Sequence, residues 1–402
     1  MGLINMSPVR PYGSAHDRWP RALQAHLQGS AGSIQQGGFT LIELMIGLVV
    51  GLVSTLAITQ ILLTSEGQKR TTTSGSDAQV SGVLAMDTLR NTIQIAGYGF
   101  ASLPKSIGCP LETKFKGAAV AGFAANLVPV LITDGADSAP DSIRVLASSK
   151  TSFSVPLTVI DPGYVPADAT LGRAFPVVAA SGAAANDLMV AVNDASSNCQ
   201  VFQLSSIGTN VLNRTDDAKW NTAGFPSNAF NTPSNSAIIN MGEFSDVTYT
   251  VSDAGTLQFN RLVLGADFTP SYTGIVSLYS NIVNMQAYYG KASAINGTTV
   301  LTGPVNAWNT TQPTTNLLWL QVLALRIAVV SRSDQYEKEV VTTTDPLWDV
   351  GANSAIDGAA ACGTSKCVTL KIPRTDGSTD WQHYRYKVFD SIIPLRNMLW
   401  SQ

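Results

Sequence analysis

Charge is scarce in this chain. Asp, Glu, Lys and Arg make up 13% of its residues and the net charge is −3, whereas a soluble globular protein usually carries about 25% charged residues. A surface that binds polyanions needs a concentrated positive footprint, so no nucleic-acid partner is expected. Histidine is nearly missing as well. Of the three present, His16 and His26 lie near the N-terminus, and only His383 remains in the body of the chain. No serine sits in a G-x-S-x-G elbow, so a Ser-His-Asp hydrolase would have to be built on His383 alone. Walker A and dinucleotide fingerprints are both lacking, so mechanical work would have to come from a partner. Asp134, Asp137 and Asp141 share a Gly-containing loop, but their spacing departs from an EF-hand, and a solvated acidic turn is the plainer reading. We therefore expect no enzyme, no cofactor and no metal.

Cysteine is limited to Cys109, Cys199, Cys362 and Cys367. In an exported domain an even count reads as disulfides, with three possible pairings. Cys362 and Cys367 enclose a short loop that closes easily, which leaves Cys109 for Cys199. A zinc site is disfavoured because His383 is the only histidine after residue 38 and the cysteine pairs are not at finger spacing.

Proline is missing from residues 39–63, where a predominantly apolar run of 25 residues would make a helix of about 37 Å. That exceeds the hydrocarbon thickness of a bilayer. It is also longer than the apolar region of a signal peptide and no small-x-small cleavage site follows it, so the span is retained. Arg10, Arg18 and Arg21 outnumber Asp17 ahead of the span. That flank predicts a cytoplasmic N-terminal end and a single pass through the inner membrane, with the rest extracytoplasmic. Inside the span, Gly47 and Gly51 form a G-x-x-x-G step that lets a second helix approach closely. Glu43 stands alone there, at an insertion cost of roughly 2.5–3.5 kcal/mol.

The stretch Gly37-Gly38-Phe39-Thr40-Leu41-Ile42-Glu43 resembles the prepilin cleavage motif. The resemblance implies that a prepilin peptidase cuts between Gly38 and Phe39, removes a 38-residue leader and leaves a methylated Phe39. It further implies that Glu43 pairs with the amino group of a neighbouring subunit's Phe39 as subunits stack, so that neither charge is left alone in lipid. Gln60 occupies a place where many major pilins carry a helix-breaking proline, so local melting is not expected there.

Beyond residue 63, Val80, Val83, Leu84, Leu89, Ile93 and Ala96 keep a helical period. The Thr71–Gly75 segment is a poor helix former, which predicts a bend or fray, and Gly97-Tyr98-Gly99 ends the helix. From residue 101 the texture becomes short apolar runs punctuated by Gly, Asn, Asp, Ser and Pro. Val247-Thr-Tyr249-Thr-Val251, a turn at Asp253-Ala254-Gly255, and Leu257-Gln-Phe259 read as a hairpin. Residues 187–192, 199–204 and 368–372 are further strands, and 317–330 reads as a strand buried on both faces, with Arg326 inside it. The expected fold is α+β and pilin-like: one long N-terminal helix, half transmembrane and half amphipathic, packed on an antiparallel β-sheet head with large β and loop insertions. The divisions are a leader at 1–38, a membrane or filament-core helix at 39–63, an amphipathic helix at 64–100 and a head at 101–402, with an insertion around 117–308.

The C-terminus narrows the resemblance. Trp381-Gln-His383-Tyr384-Arg385-Tyr386-Lys387-Val388-Phe389, then Ile392-Ile393-Pro394-Leu395-Arg396-Asn397-Met398-Leu399-Trp400, is similar to the terminal signature of the minor pilin PilW family. Leu323-Ala-Leu325-Arg326-Ile327-Ala328-Val329-Val330 resembles that family's central strand, and Gln94-Ile95-Ala96-Gly97-Tyr98 its helix end. Residues 101–308 carry no such resemblance. Tyr384, Tyr386, Val388 and Ile392 read as one face of a half-buried edge strand, with Arg385 and Lys387 on the other. The resemblance implies a minor pilin that primes type IV pilus assembly and sits near the tip. Its partners would be other minor pilins, the major pilin, a tip adhesin, the prepilin peptidase and the inner-membrane assembly machinery. A type II secretion pseudopilin shares the anchor and is the alternative; a DNA-uptake or adhesive pilin is a third class.

Overall fold

The computed structural model describes residues 38–151, 154–193, 198–216, 219–230, 236–293, 304–374 and 378–399. The leader up to Gly37, and Trp400 of the terminal signature, lie outside the described residues. One α-helix, Leu41–Gln94, runs 54 residues without a break. The fray expected as one alternative near Gly75 does not occur, since residues 71–75 are helical. Thr72 returns its hydroxyl to the Gln68 carbonyl at 2.9 Å, so that side chain is satisfied within the helix. One mid-helix glycine costs only about 1 kcal/mol. The chain divides between Ser65 and Glu66 into two compact units, and the helix contributes to both.

In the second unit the helix turns a face of small residues inward. Ala78, Gly82, Ala85, Leu89, Ile93 and Ala96 are buried, following the three-and-four spacing of one helical face. Val80, Val83 and Leu84, expected on that face, are 54%, 55% and 45% exposed. The sheet decides between them. The Phe389 ring presses so close to the helix that a Cβ on Gly82 would lie 2.1 Å from its Cε2 atom, and only a residue without a side chain leaves that space.

That sheet has four antiparallel strands in the order Val305–Asn309, Ile282–Ala292, Val322–Arg332 and Tyr386–Pro394. Met285, Ala287, Tyr289, Leu325, Ile327, Val329 and Ile393 share the largest core with Ala85, Leu89 and Ile93 of the helix. The opposite face carries a separate core in which Val283, Tyr288, Ala328 and Val330 meet Trp348, Val350, Val368 and Leu370. The Val322–Arg332 strand is therefore covered on both sides, as its near-continuous apolar run predicts. Arg326 is tolerated there because its guanidinium lies 5.1 Å from the Trp348 ring and 3.2 Å from Asp390. The strand starts at Val322, not at 317. Residues Asn316–Leu320 instead form a short helix capped by Thr315, whose hydroxyl accepts from the Leu318 amide at 3.4 Å. Along the last strand, Phe389 and Ile393 face the helix, while Tyr386 and Val388 join the opposite core. Ile392, expected with the buried set, is exposed.

The hairpin forms between Ser245–Ser252 and Thr256–Leu264, with Gly255 at φ +73° in its turn, a conformation that favours glycine. It continues into a larger sheet through Ser142–Ala147 and Val130–Thr133. Residues 157–238 supply a second core of stacked rings, with Tyr164–Phe175 centroids 4.2 Å apart and Phe175–Phe202 4.6 Å apart. Its sheet is antiparallel except where Leu111–Glu112 runs parallel to Cys199–Gln203. The disulfide Cys109–Cys199 lies beside that parallel pair, and Cys362–Cys367 closes a hairpin. The bridges span sequence separations of 90 and 5. By loop-closure entropy the first contributes about 4–5 kcal/mol and the second about 2.

Gly82→Ala sets a helix-propensity gain of about 1 kcal/mol against overpacking that costs about 1–3 kcal/mol. Thermal unfolding should therefore show a net loss of stability. In a Phe389→Leu background the same change should become neutral or stabilising; an equal loss in both backgrounds would remove the ring as its cause.

Candidate functional site

Gly38, Phe39 and Thr40 lead into the helix, and all three are exposed, Phe39 at 82%. Thr40 caps the helix. The Glu43 amide donates to its hydroxyl at 3.3 Å and to its carbonyl at 3.0 Å. Thr40-x-x-Glu43 thus has capping-box spacing, and an acidic side chain in the first turn suits the positive end of the helix dipole. Reading Glu43 only as a charge in lipid misses this second role, although the T-x-x-E spacing signals it.

From Leu41 to Leu63 the large apolar side chains are 56–79% exposed. Residues Leu41–Lys69 form, among the described residues, the one helix long and apolar enough to cross a membrane, and none of it is buried by the chain itself. Contiguous apolar surface of this extent is covered by lipid or by other helices in any stable setting. The polar residues in the span do not oppose this. Ser54, Thr55 and Thr59 donate to the carbonyls of Val50, Leu52 and Thr55 at 2.8–2.9 Å, so each hydroxyl is satisfied inside its own helix. Gly47 and Gly51 sit one turn apart, and a Cβ added at either meets nothing within 4 Å. They leave a shallow bare strip on the helix.

In the acidic loop, the Asp141 carboxylate is taken up by the backbone. Asp141 is 1% exposed, and its two carboxylate oxygens accept from the amides of Gly135 and Ala287 at 2.9 and 2.7 Å. Its own amide donates to the Met285 carbonyl at 2.8 Å. The Val305–Asn309 strand covers only Tyr289–Ala292 of its neighbour, so Asp141 takes the place of a missing strand along the uncovered edge. Burial pushes the Asp141 carboxyl up to about 7; the two amide bonds oppose this, and Asp134 beside it adds to it. Among the described residues no group of three His, Cys, Asp or Glu side chains is placed to hold a metal. His383 is held by the Glu337 carbonyl at 2.8 Å and stacks on Tyr336 at 4.5 Å. Its ring is engaged structurally.

Two family comparisons match. Residues 248–397 match the family described as Type IV Pilus-assembly protein W. Residues 34–59 match the Prokaryotic N-terminal methylation motif. No curated protein and no solved structure matches the chain. The first match begins at residue 248, so most of the hairpin and the whole four-stranded sheet fall inside it. The match covers the sheet that packs on the helix; the ring-stacked second core lies outside it. Together the two matches support a pilin associated with type IV pili, a class that interacts with other pilins and the assembly machinery. The bare apolar helix and the methylation motif fit a membrane-anchored pilin.

Asp141 gives the head a pH dependence of definite sign. Its carboxyl holds a proton up to about 7 when folded, against an ordinary value of 3.8. The folded state therefore binds more protons than the unfolded state between those values. Stability from this group is present below that window and lost as pH rises through it. Comparing thermal midpoints at about pH 5 and about pH 7.5, Asp141→Asn should flatten the wild-type decline, by on the order of 2 kcal/mol across the window. Parallel wild-type and variant profiles would refute the assignment.

Proposed function

Because the chain matches a PilW-family type IV pilin, we propose that it is a minor pilin that primes type IV pilus assembly and sits near the pilus tip. The observation that carries this reading is the helix Leu41–Lys69, which its own chain leaves wholly uncovered immediately after a Gly38–Phe39 junction. In this reading the junction is cut by prepilin peptidase in the inner membrane and Phe39 becomes the methylated N-terminus. Glu43, one turn inside the helix, pairs with the new amino group of an adjacent subunit, which offsets the roughly 2.5–3.5 kcal/mol cost of a lone carboxylate in lipid. The bare strip at Gly47 and Gly51 admits a neighbouring helix backbone at close range. Other minor pilins, the major pilin and a tip adhesin are the partners. A head built on three separate cores supports a terminal place, since so large a head would crowd a regular shaft.

Gly38→Ala should leave an unprocessed precursor on immunoblots; a mature-sized band would displace the cut. Glu43→Val removes the insertion cost, so membrane fractionation should be unchanged, while incorporation into sheared pili should fall at least about tenfold. Unchanged incorporation would end the pairing role. Deletion of the gene should abolish or sharply reduce surface pili. Intact pili with lost protein secretion would assign the chain to a type II secretion system instead.

A further inference from the structure

The two ends of the four-stranded sheet carry surfaces that fit each other. At the end where Val322–Arg332 begins and Tyr386–Pro394 finishes, a groove of about 760 Å³ opens beside the last turn of the long helix. That is the size of a cleft built to hold a ligand or a protruding segment. Ile95, Tyr98, Lys150, Arg396 and Asn397 are among its lining residues, and no Asp or Glu is. Asn397 holds one wall in place, its amide donating to the carbonyls of Ile95 and Ala96 at 3.2 and 3.0 Å. Ile95 is 53% exposed. Lys150 is already compensated by Asp187 at 3.0 Å. Arg396 is exposed, and among the described residues no acid pairs with it. The groove thus offers an open aliphatic side chain and one reachable, uncompensated positive charge.

The other end of the same strand runs into residues 333–346, where Asp334, Glu337, Glu339 and Asp345 stand against Lys338 alone. This segment is fastened at two points. The Glu337 amide donates to the His383 carbonyl at 2.8 Å, and the Val341 and Thr342 amides donate to the Gln382 carbonyl at 3.0 Å. Between them Lys338, Glu339 and Val340 form an exposed tip, with Val340 at 51%. A tip held on both sides loses little conformational freedom on binding. Glu337 and Asp345 are paired with Arg385 and Arg374, whereas among the described residues no cation pairs with Glu339. The tip therefore sets an aliphatic side chain beside an uncompensated negative charge, the inverse of the groove. The central strand has 11 residues, which sets the two ends about 36 Å apart, so a head cannot fill its own groove. We propose that the tip at residues 338–340 of one copy of this chain docks in the groove of a second copy, with Glu339 against Arg396 and Val340 against Ile95. Lys338 then meets the negative end of the helix dipole, where a cation is favoured. The contact is heterologous, so each pair keeps one free tip and one free groove. It adds a surface between heads to the assembly role proposed above and requires neither cleavage at Gly38 nor pairing at Glu43. A related pilin with an acidic tip of its own is the competing occupant.

The test is cysteine cross-linking of the full chain in detergent, read on non-reducing gels. Ile95→Cys and Val340→Cys are purified separately and mixed under a mild oxidant. The mixture should give a covalent dimer, and either variant alone at least about tenfold less, because a heterologous contact never sets a residue against its own copy. Adding Arg396→Glu to the Ile95→Cys chain should cut the yield at least about threefold, since an exposed attractive pair becomes a repulsive one. Adding Glu339→Arg to the Val340→Cys chain should then restore it, an outcome that a merely structural role for either residue does not produce. All four substitutions are at exposed positions, so each chain should keep the wild-type unfolding midpoint within a few degrees. Should Arg396→Glu misfold, the mixed pair with its native charges decides alone. No mixed dimer, equal dimer from either variant alone, a yield indifferent to Arg396→Glu in a folded chain, or no restoration by Glu339→Arg would each overturn the proposal. Cross-links in cells from Ile95→Cys to another pilin, with none to Val340→Cys, would overturn the second copy as occupant. None of these outcomes bears on processing at Gly38 or on piliation, so the two readings fail separately.

Discussion

A single helix has to satisfy two different surroundings, and the rest of the chain is arranged around that demand. Up to Leu63 its large side chains are apolar and uncovered. From Ala78 onward it carries alanines, a glycine and then Leu89 and Ile93 inward against the protein. The backbone is the same throughout; only the side chains change. Apolar bulk on all sides suits lipid or helix neighbours. A narrow face of small residues suits close approach by a sheet. Hydroxyl groups in the first part are returned to the helix's own carbonyls, so even the polar residues there ask nothing of the solvent.

The sheet answers the helix through one edge strand and one glycine. Phe389 reaches the helix only because Gly82 has no side chain, and the register Val329↔Phe389 ties that ring to the central strand. The opposite face of the same sheet supports a second set of rings and the hairpin closed by Cys362–Cys367. Asp141 then completes the part of the sheet edge that the neighbouring strand does not reach. The family match coincides with this sheet and its flanking hairpin. The ring-stacked core at residues 157–238 lies outside that match and is held to the chain after the helix by Cys109–Cys199.

Much of this is legible in the amino-acid sequence. Length and hydropathy alone identify the long helix at residues 39–63, because no globular core accommodates so long a predominantly apolar helix without cover. Alternation identifies the hairpin around Asp253–Gly255, and the unbroken run ending at Val330 identifies a doubly covered strand. Sequence and structure part where a local signal is weaker than the tertiary setting. Val80, Val83 and Leu84 have the right hydrophobicity but the wrong phase, since the alanine and glycine line at Ala78, Gly82 and Ala85 is what the sheet selects. The apolar run from 317 conceals the short helix that Thr315 caps, so the central strand starts later than that run suggests. The Asp134–Asp141 cluster read as a loop of solvated acids, and no sequence pattern reveals that one of them replaces a strand.

Composition and spacing by themselves determined the long apolar N-terminal helix, the methylation-motif match around Gly38 and Phe39, the position of Glu43 and the α+β character, because each depends on residues adjacent along the chain. Tertiary structure alone decided which helix face is buried, that Asp141 holds its proton to near neutrality, and that Arg396 shares a groove with Ile95 and Tyr98. Those features join groups tens to more than a hundred residues apart. Their energies come from desolvation and close approach, which the folded arrangement creates and no local pattern encodes.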